Sequence, residues 1–231
     1  MPSKVQKTAA FNAWLDGLTD TIAQDAISDR LARIETGLLG DHKSVGDRVS
    51  EFRVDVGQGY RLYYTLRGRV IVLLLCGGGK KTQRADIRRA EAMVKAMKKR
   101  KAEPSAGGVR ERRSTYTAET GEDEEFSFTE EELAVSPLDV ADYLGRESSQ
   151  IYVLRNALES GHPGYIAVAL GAVARARGLS KLERETGIKR QTLNKSLSRK
   201  GNPTLETLTT VLGALGLRLE VVEDRANGPT R

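Results

Sequence analysis

Lys80 and Lys81 follow three glycines, Gly77 to Gly79, which follow the apolar run Val70 to Leu75. That run is short and β-branched at its start, so it reads as a buried strand. The glycines end the strand with a sharp turn and deliver both lysines to the rim of a sheet. A basic pair at a strand end suits a phosphate-bearing partner. A phosphate loop, however, needs a Gly, four residues, then Gly-Lys-Ser/Thr. With Gly79-Lys80 as its end, Leu74 occupies the first Gly position and Lys81 the hydroxyl position, so a nucleoside triphosphate site is excluded. Arg53 and Arg61 are the next cations of interest, each on a segment that alternates apolar and polar residues. Lys43 precedes them, and Arg84 follows the lysine pair.

The elements that must position these residues can be read in order. Phe11 to Leu18 and Asp20 to Ile34 read as two helices. In the second, Ile22, Ala26, Ile27, Leu31 and Ile34 form an apolar stripe. Asp20 caps its start and Gly37 stands past its end. Glu51 to Val56 then alternates, with Phe52, Val54 and Val56 on one face and Glu51, Arg53 and Asp55 on the other. After Gly57-Gln58-Gly59, residues 60–65 place Tyr60, Leu62 and Tyr64 opposite Arg61 and Tyr63. With the opening strand these predict an antiparallel meander, packed on the helices by one face and carrying Arg53, Arg61 and Tyr63 on the other. Asp86 to Lys99 reads as a basic helix with Ile87, Ala90, Val94 and Met97 inward.

Charge divides the chain of 231 residues into three. Residues 1–100 hold 19 Lys+Arg against 11 Asp+Glu, residues 101–133 hold 4 against 10, and residues 134–231 hold 14 against 10. Two basic blocks around an acidic connector predict two polyanion-binding modules. The connector lacks periodicity and reads as a flexible acidic linker. Its acidic run with Phe126 and Phe128 is expected either to lie on the basic face of the first module or to act as a spacer. Residues 223–231 read as a disordered tail. Cys76 is the one cysteine and there are two histidines, which leaves no metal framework or intrachain disulfide. No apolar run reaches membrane-spanning length and no secretory signal is visible, so a cytoplasmic location is expected.

The second module, residues 134–222, reads as all-helical. Ser136-Pro137 predicts a helix start running to Leu144. Helices follow over Glu147–Ser160 and Pro163–Arg177, each closed by a glycine. Ser180 to Glu183 has the pattern of a capping box for a helix to Thr186. Gly187 makes a turn into Lys189–Leu197, a helix-turn-helix. A last helix starts at Thr204, and Leu217, Leu219 and Val221 suggest a terminal strand. Arg190, Gln191, Asn194 and Lys195 face outward near the start of the second helix, where bases are read.

Residues 5–97 resemble the HigB-type branch of the RelE/ParE superfamily of bacterial toxins. The resemblance rests on Lys43-Ser-Val-Gly-Asp47, Glu51-Phe-Arg-Val54, Gly57-Gln-Gly-Tyr-Arg-Leu-Tyr-Tyr64 and Leu74-Leu-Cys-Gly-Gly-Gly-Lys-Lys-Thr-Gln83 with Asp86-Ile87. Residues 136–219 resemble the HigA-type antitoxin through Ser136-Pro-Leu-Asp-Val-Ala-Asp-Tyr-Leu144, Ala169 to Gly178, Glu185-Thr-Gly187 and Gly201-Asn-Pro-Thr204. Together they imply an α+β chain: a RelE-like antiparallel sheet on helices, then a helix-turn-helix domain. They imply a ribosome-linked, metal-independent endoribonuclease acting on mRNA without a cofactor. The tethered antitoxin would restrain it, within one chain or swapped between two, and bind operator DNA as a homodimer. Cleavage by the RNA's own 2′-hydroxyl needs a base, an acid, and cations for the developing charge. By position, Arg53, Arg61 and Lys80 supply the cations, Lys43 a phosphate contact or a proton, and Lys81 and Arg84 further RNA contacts. The alternatives are a DNA-binding regulator with an inactive toxin part, or a gyrase poison. Three positions depart from the resemblance. Gly79 stands where Asp is common, Glu183 where a small Ala is usual, and Lys189 where a capping Ser is usual.

Overall fold

A computed structural model describes residues 4–68, 71–102, 115–120 and 124–222. The tail expected over 223–231, and parts 103–114 and 121–123 of the expected linker, lie outside these residues. The first half contains β1 (Lys4–Thr8), α1 (Ala9–Asp16), α2 (Thr21–Thr36), β2 (His42–Gly46), β3 (Val49–Val54), β4 (Tyr60–Arg67), β5 (Ile71–Gly79) and α3 (Gln83–Ala102). The second contains β6 (Thr115–Thr120), β7 (Glu124–Thr129), β8 (Val135–Pro137), α4 (Glu147–Glu159), α5 (Pro163–Arg177), α6 (Leu179–Thr186), α7 (Arg190–Ser196) and α8 (Leu205–Ala214). Short 3₁₀ turns occupy Lys80–Thr82 and Val140–Tyr143.

The sheet has the order β2-β3-β4-β5-β1-β8. The expected three-strand meander is β3 through β5, and β2, which the alternation did not reveal, adds a fourth antiparallel strand at its edge. β1 pairs with β5 in parallel, so the sheet is mixed. β8 comes from the second half and adds to the free edge of β1, with Lys7 opposite Ser136. The helix expected to begin at Ser136 is therefore a strand, and Asp139 starts the 3₁₀ turn by accepting from the Ala141 N–H. Pro137 is tolerated because β8 is an edge strand, where a missing donor costs no ladder bond.

The glycines after the apolar run do not end β5. Gly77, Gly78 and Gly79 pair with Leu62, Arg61 and Tyr60. The reason for glycine is overhead: a Cβ on Gly77 would overlap the Trp14 ring, and one on Gly78 the Asp86 carboxylate.

Both faces of the sheet are covered. One core joins Phe11, Ile27, Leu31, Leu62 and Leu74 to Val153, Tyr165, Leu170 and Leu193, so the two halves share it. This explains why α2 buries Ala23, Ser28, Asp29 and Ala32 beyond the expected stripe while Ile22 is 64% exposed. The other core joins Tyr63, Leu73, Leu75 and Met93 to Phe128 and Leu133. Here β6 and β7 form a hairpin against α3, in a stretch whose composition reads as linker. Burying Phe128, 2% exposed, contributes about 1.5–3 kcal/mol towards ordering that hairpin. Residues 217–222 form no strand, where a terminal one was suggested. No described helix is long and apolar enough to cross a membrane.

Candidate functional site

Arg53 and Arg61 sit directly opposite each other on β3 and β4. Two residues before Arg53, the same face carries Glu51, whose side chain has no solvent exposure. Arg53 Nε donates to Glu51 Oε1 at 3.0 Å, Arg61 Nε lies 3.5 Å from Oε2, and Gln83 Nε2 donates to Oε2 at 3.0 Å. One buried carboxylate therefore hydrogen-bonds one guanidinium and an amide from α3, and pairs by charge with a second guanidinium whose Nε makes no hydrogen bond among the described residues. The alternation of β3 predicted a solvent-facing Glu51, because it could not show that α3 covers that face. The signal available was an acid two residues from one arginine and across the strand from another.

Lys80 joins the group through its backbone. Its N–H donates to Gly59 O at 3.0 Å, and Gly59, at φ +76°, leaves room beside Arg61 Nη1 and Lys80 Cβ. Arg61 is 12% exposed and Arg53 34%, while Lys80, Lys81 and Arg84 are exposed. Lys43 is also exposed and lies one strand further out, paired in register with Glu51. These side chains together make an open cationic corner on a rigid sheet.

Two protonic groups border it. Asp86 sits above Gly78 and accepts from Thr82 Oγ1 at 2.6 Å; burial raises its pKa above the ordinary carboxylate range. Tyr63 is fully buried, its hydroxyl without a hydrogen-bond partner among the described residues, and burial with Asp86 and Glu51 nearby raises its pKa above the ordinary phenol range. Burial pushes the Cys76 thiol up to about 12, so thiolate chemistry is absent at neutral pH. The chemistry the corner can perform is stabilisation of anionic charge, with a carboxyl able to carry a proton beside it.

In the helical half, α6, Gly187 at φ +72° and α7 form the expected helix-turn-helix. Arg190, Gln191, Asn194 and Lys195 are all exposed, while Leu193 is fully buried. The capping box at Ser180 does not form; Gly178 opens α6 without a side-chain cap. Glu183 instead accepts from the Arg190 N–H at 3.2 Å. Lys189 has no capping bond of its own, so the two departures at Glu183 and Lys189 compensate each other: an acid from α6 caps α7.

Residues 134–223 match the family described as "Probable addiction module antidote protein". Through these residues, the chain belongs to that family. An uncharacterized protein of Haemophilus influenzae (strain KW20 / Rd) is 40% identical over 97 residues, which is 42% of this chain and 98% of that protein. A second uncharacterized protein of the same strain is 40% identical over 87 residues, 38% of this chain and 90% of its own length. No solved structure matches the chain. An antidote implies a toxin as partner, so the family suggests a toxin–antitoxin module.

The antidote part docks on α2 and β1. Ala9 and Leu138 N–H groups extend the β1–β8 pairing by donating to Ala134 O and Val5 O. Lys7 Nζ donates to Tyr143 Oη at 2.7 Å and pairs with Asp142 at 3.2 Å. Arg146 donates to Asp25 at 2.7 Å, joined there by Ser149. Deeper in, the fully buried Tyr165 hydroxyl donates to Asp29, which also pairs with Arg33 at 2.9 Å. None of these contacts falls on Arg53, Arg61 or Lys80. In the described part of the acidic segment, Glu130 pairs with Arg100 at 2.8 Å and Glu132 with Arg89 at 3.7 Å, both on α3.

Glu35 adds pH dependence at this junction. Burial and the neighbouring Asp139 raise its pKa to about 7 despite Arg175; Lys4 lines the same cavity. The folded state therefore holds a proton that the unfolded chain releases near 4.5. Its contribution is fully present below that value and is lost as pH rises through about 7. Glu35→Gln should flatten the melting-temperature profile between pH 5 and 8 and melt higher than the parent at pH 8.

Proposed function

We propose that the chain joins a toxin and its antidote, with residues 1–100 a metal-independent endoribonuclease acting on mRNA at the ribosome. Residues 101–133 connect it to the antidote part, residues 134–222, which restrains it and binds operator DNA as a homodimer. The observation that carries the reading is the arginine pair locked on Glu51 in an open cationic corner, on the same chain as an antidote-family part. In the reaction the 2′-hydroxyl of the substrate attacks its own phosphate and the 5′-oxygen leaves. Arg53 and Arg61 stabilise the charge on the phosphoryl oxygens, Lys80 and Lys43 hold flanking phosphates, and Lys81 and Arg84 contact the strand. Asp86 is the carboxyl placed to exchange a proton at that corner.

Because none of the described contacts between the two parts covers the corner, restraint acts by bulk: the docked antidote part keeps the chain out of a confined site on the ribosome. Tethering gives the docking partner an effective concentration on the order of millimolar. The test compares residues 1–102 with the whole chain for cleavage of translated mRNA. Cleavage by the short form alone supports the reading, and its absence in both, with the short form folded, refutes it.

For the antidote part, Arg190→Ala should weaken operator binding by roughly 10-fold or more and relax specificity at one base pair, consistent with about 1–3 kcal/mol per bidentate contact. Lys195→Ala should weaken all duplex DNA evenly and lower the salt slope by about one. Gel-shift titrations at two salt concentrations read both.

A further inference from the structure

At the far end of α3 from the arginine pair, a cleft of about 730 Å³ opens between the end of β4 with Gly68, the last turns of α3 and Leu133. Five cations line it: Arg48, Arg67, Lys98, Arg100 and Lys101. Val94, Met97, Leu133 and Val135 contribute its apolar lining. Basic residues at a helix C-terminus complement the helix dipole, which accounts for the three on α3. It does not account for Arg48 and Arg67, which reach the same cleft from the β2–β3 turn and the end of β4. Arg48 holds φ +60°, a conformation few residues other than glycine adopt, and Glu91 ties its turn to α3 by accepting from the Asp47 N–H at 3.0 Å. Among the described residues Arg67 has no carboxylate partner; Nη2 donates to Met97 Sδ at 3.2 Å. Burial lowers the pKa of Arg67, as expected for a guanidinium that has lost water without gaining an anion.

We propose that this cleft binds the phosphate backbone of a single RNA strand, as a second site beyond the arginine pair. The proposal rests on the ribonuclease reading for its choice of ligand. The apolar lining suits ribose and base faces, and the cations suit phosphates on either side. α3 connects the two sites: Arg84, Arg88, Lys95 and Lys99 follow one another at helical spacing, Glu91 on that stripe being turned to Asp47. From Arg84 to Lys98 the helix rises about 21 Å, so a strand seated in the corner can reach the cleft. The cleft then fixes which stretch of a bound RNA is presented for cutting.

The experiment measures binding of a fluorescent 12-nucleotide oligouridine with 2′-O-methyl groups, which cannot be cleaved, to the whole chain. The variant Arg67→Gln/Lys98→Gln/Lys101→Gln should bind at least ten-fold more weakly. Its slope of log K against log salt should flatten by about two, as expected on losing three phosphate contacts to a single strand. Arg67→Lys, which keeps the charge, should retain most of the affinity, and Arg155→Gln, at an exposed position of α4, should leave RNA binding unchanged. Equal melting temperatures would show that the variants fold. Unchanged affinity and slope in the triple variant would overturn the cleft. Cleft-dependent binding by a chain whose toxin part never cuts RNA would uphold the cleft and overturn the ribonuclease reading instead.

Discussion

Glu51→Ala is expected to lower RNA cleavage by residues 1–102 about 100-fold or more and to destabilise the whole chain by about 2–3 kcal/mol. The carboxylate is fully buried and is the shared partner of Arg53, Arg61 and Gln83. Removing it leaves two like charges facing each other across adjacent strands, where such pairs are unfavourable. Losing one partner of a buried pair costs about 3–5 kcal/mol, and the lower figure reflects the access both arginines keep to solvent. The effect on cleavage should be larger, about 100-fold or more, because misplacing a preorganised charge donor costs that much in the transition state. Glu51→Gln keeps the shape and one acceptor, so it should lose cleavage while losing less stability. Lys81→Ala, at an exposed position, should stay within about 0.5 kcal/mol of the parent. Thermal unfolding of the whole chain and mRNA cleavage by residues 1–102 read the two effects separately. A stable, fully active Glu51→Ala protein would remove Glu51 from the site.

Asp29→Ala should convert a harmless chain into one that arrests growth. Asp29 is 7% exposed, accepts the Tyr165 hydroxyl and pairs with Arg33, whose guanidinium lies 5.4 Å above the Tyr165 ring. Without it, a buried hydroxyl from the antidote part loses its carboxylate acceptor and a cation from α2 loses its counter-charge. The expected loss is about 2–4 kcal/mol, concentrated at the junction between the two parts. The remaining contacts, the β1–β8 pairing and the Arg146–Asp25 bond, keep the chain folded but let the junction open more often. Asp29→Ala/Tyr165→Phe should lose less than the sum of the single changes, because the second removes the stranded hydroxyl. Growth curves on induction and melting temperatures of the purified chains check both statements.

Much of the local structure was legible. Asp20 and Gly37 bracket α2 as expected, and Pro163 and Gly178 bracket α5, because caps act within a few residues. The spacing that set Arg53 against Arg61 could be read from the alternation of two strands joined at Gly57 to Gly59. What was illegible depends on distant partners. β1 and β8 are short, and Lys7 meets Ser136 only in the folded sheet; Ser-Pro alone reads as a helix start. The glycine triplet looked like a turn because the ring of Trp14 and the carboxylate of Asp86 above it come from two different helices. The β6–β7 hairpin was hidden by its acidic composition, although Tyr116 with Ala118 and Phe126 with Phe128 repeat every second residue. Glu183 and Lys189 each looked like a defect, and only the turn between α6 and α7 shows that one mends the other.

In the proposed function an active toxin is held in check by an antidote part on its own chain. The most direct measurement adds residues 1–102, the same fragment carrying Arg61→Ala, and the whole chain at equal concentration to a translation reaction, and maps mRNA ends. New cuts in translated mRNA are expected with the fragment, none with Arg61→Ala and none with the whole chain. A fragment folded by circular dichroism that leaves both translation and mRNA intact would contradict the proposed function.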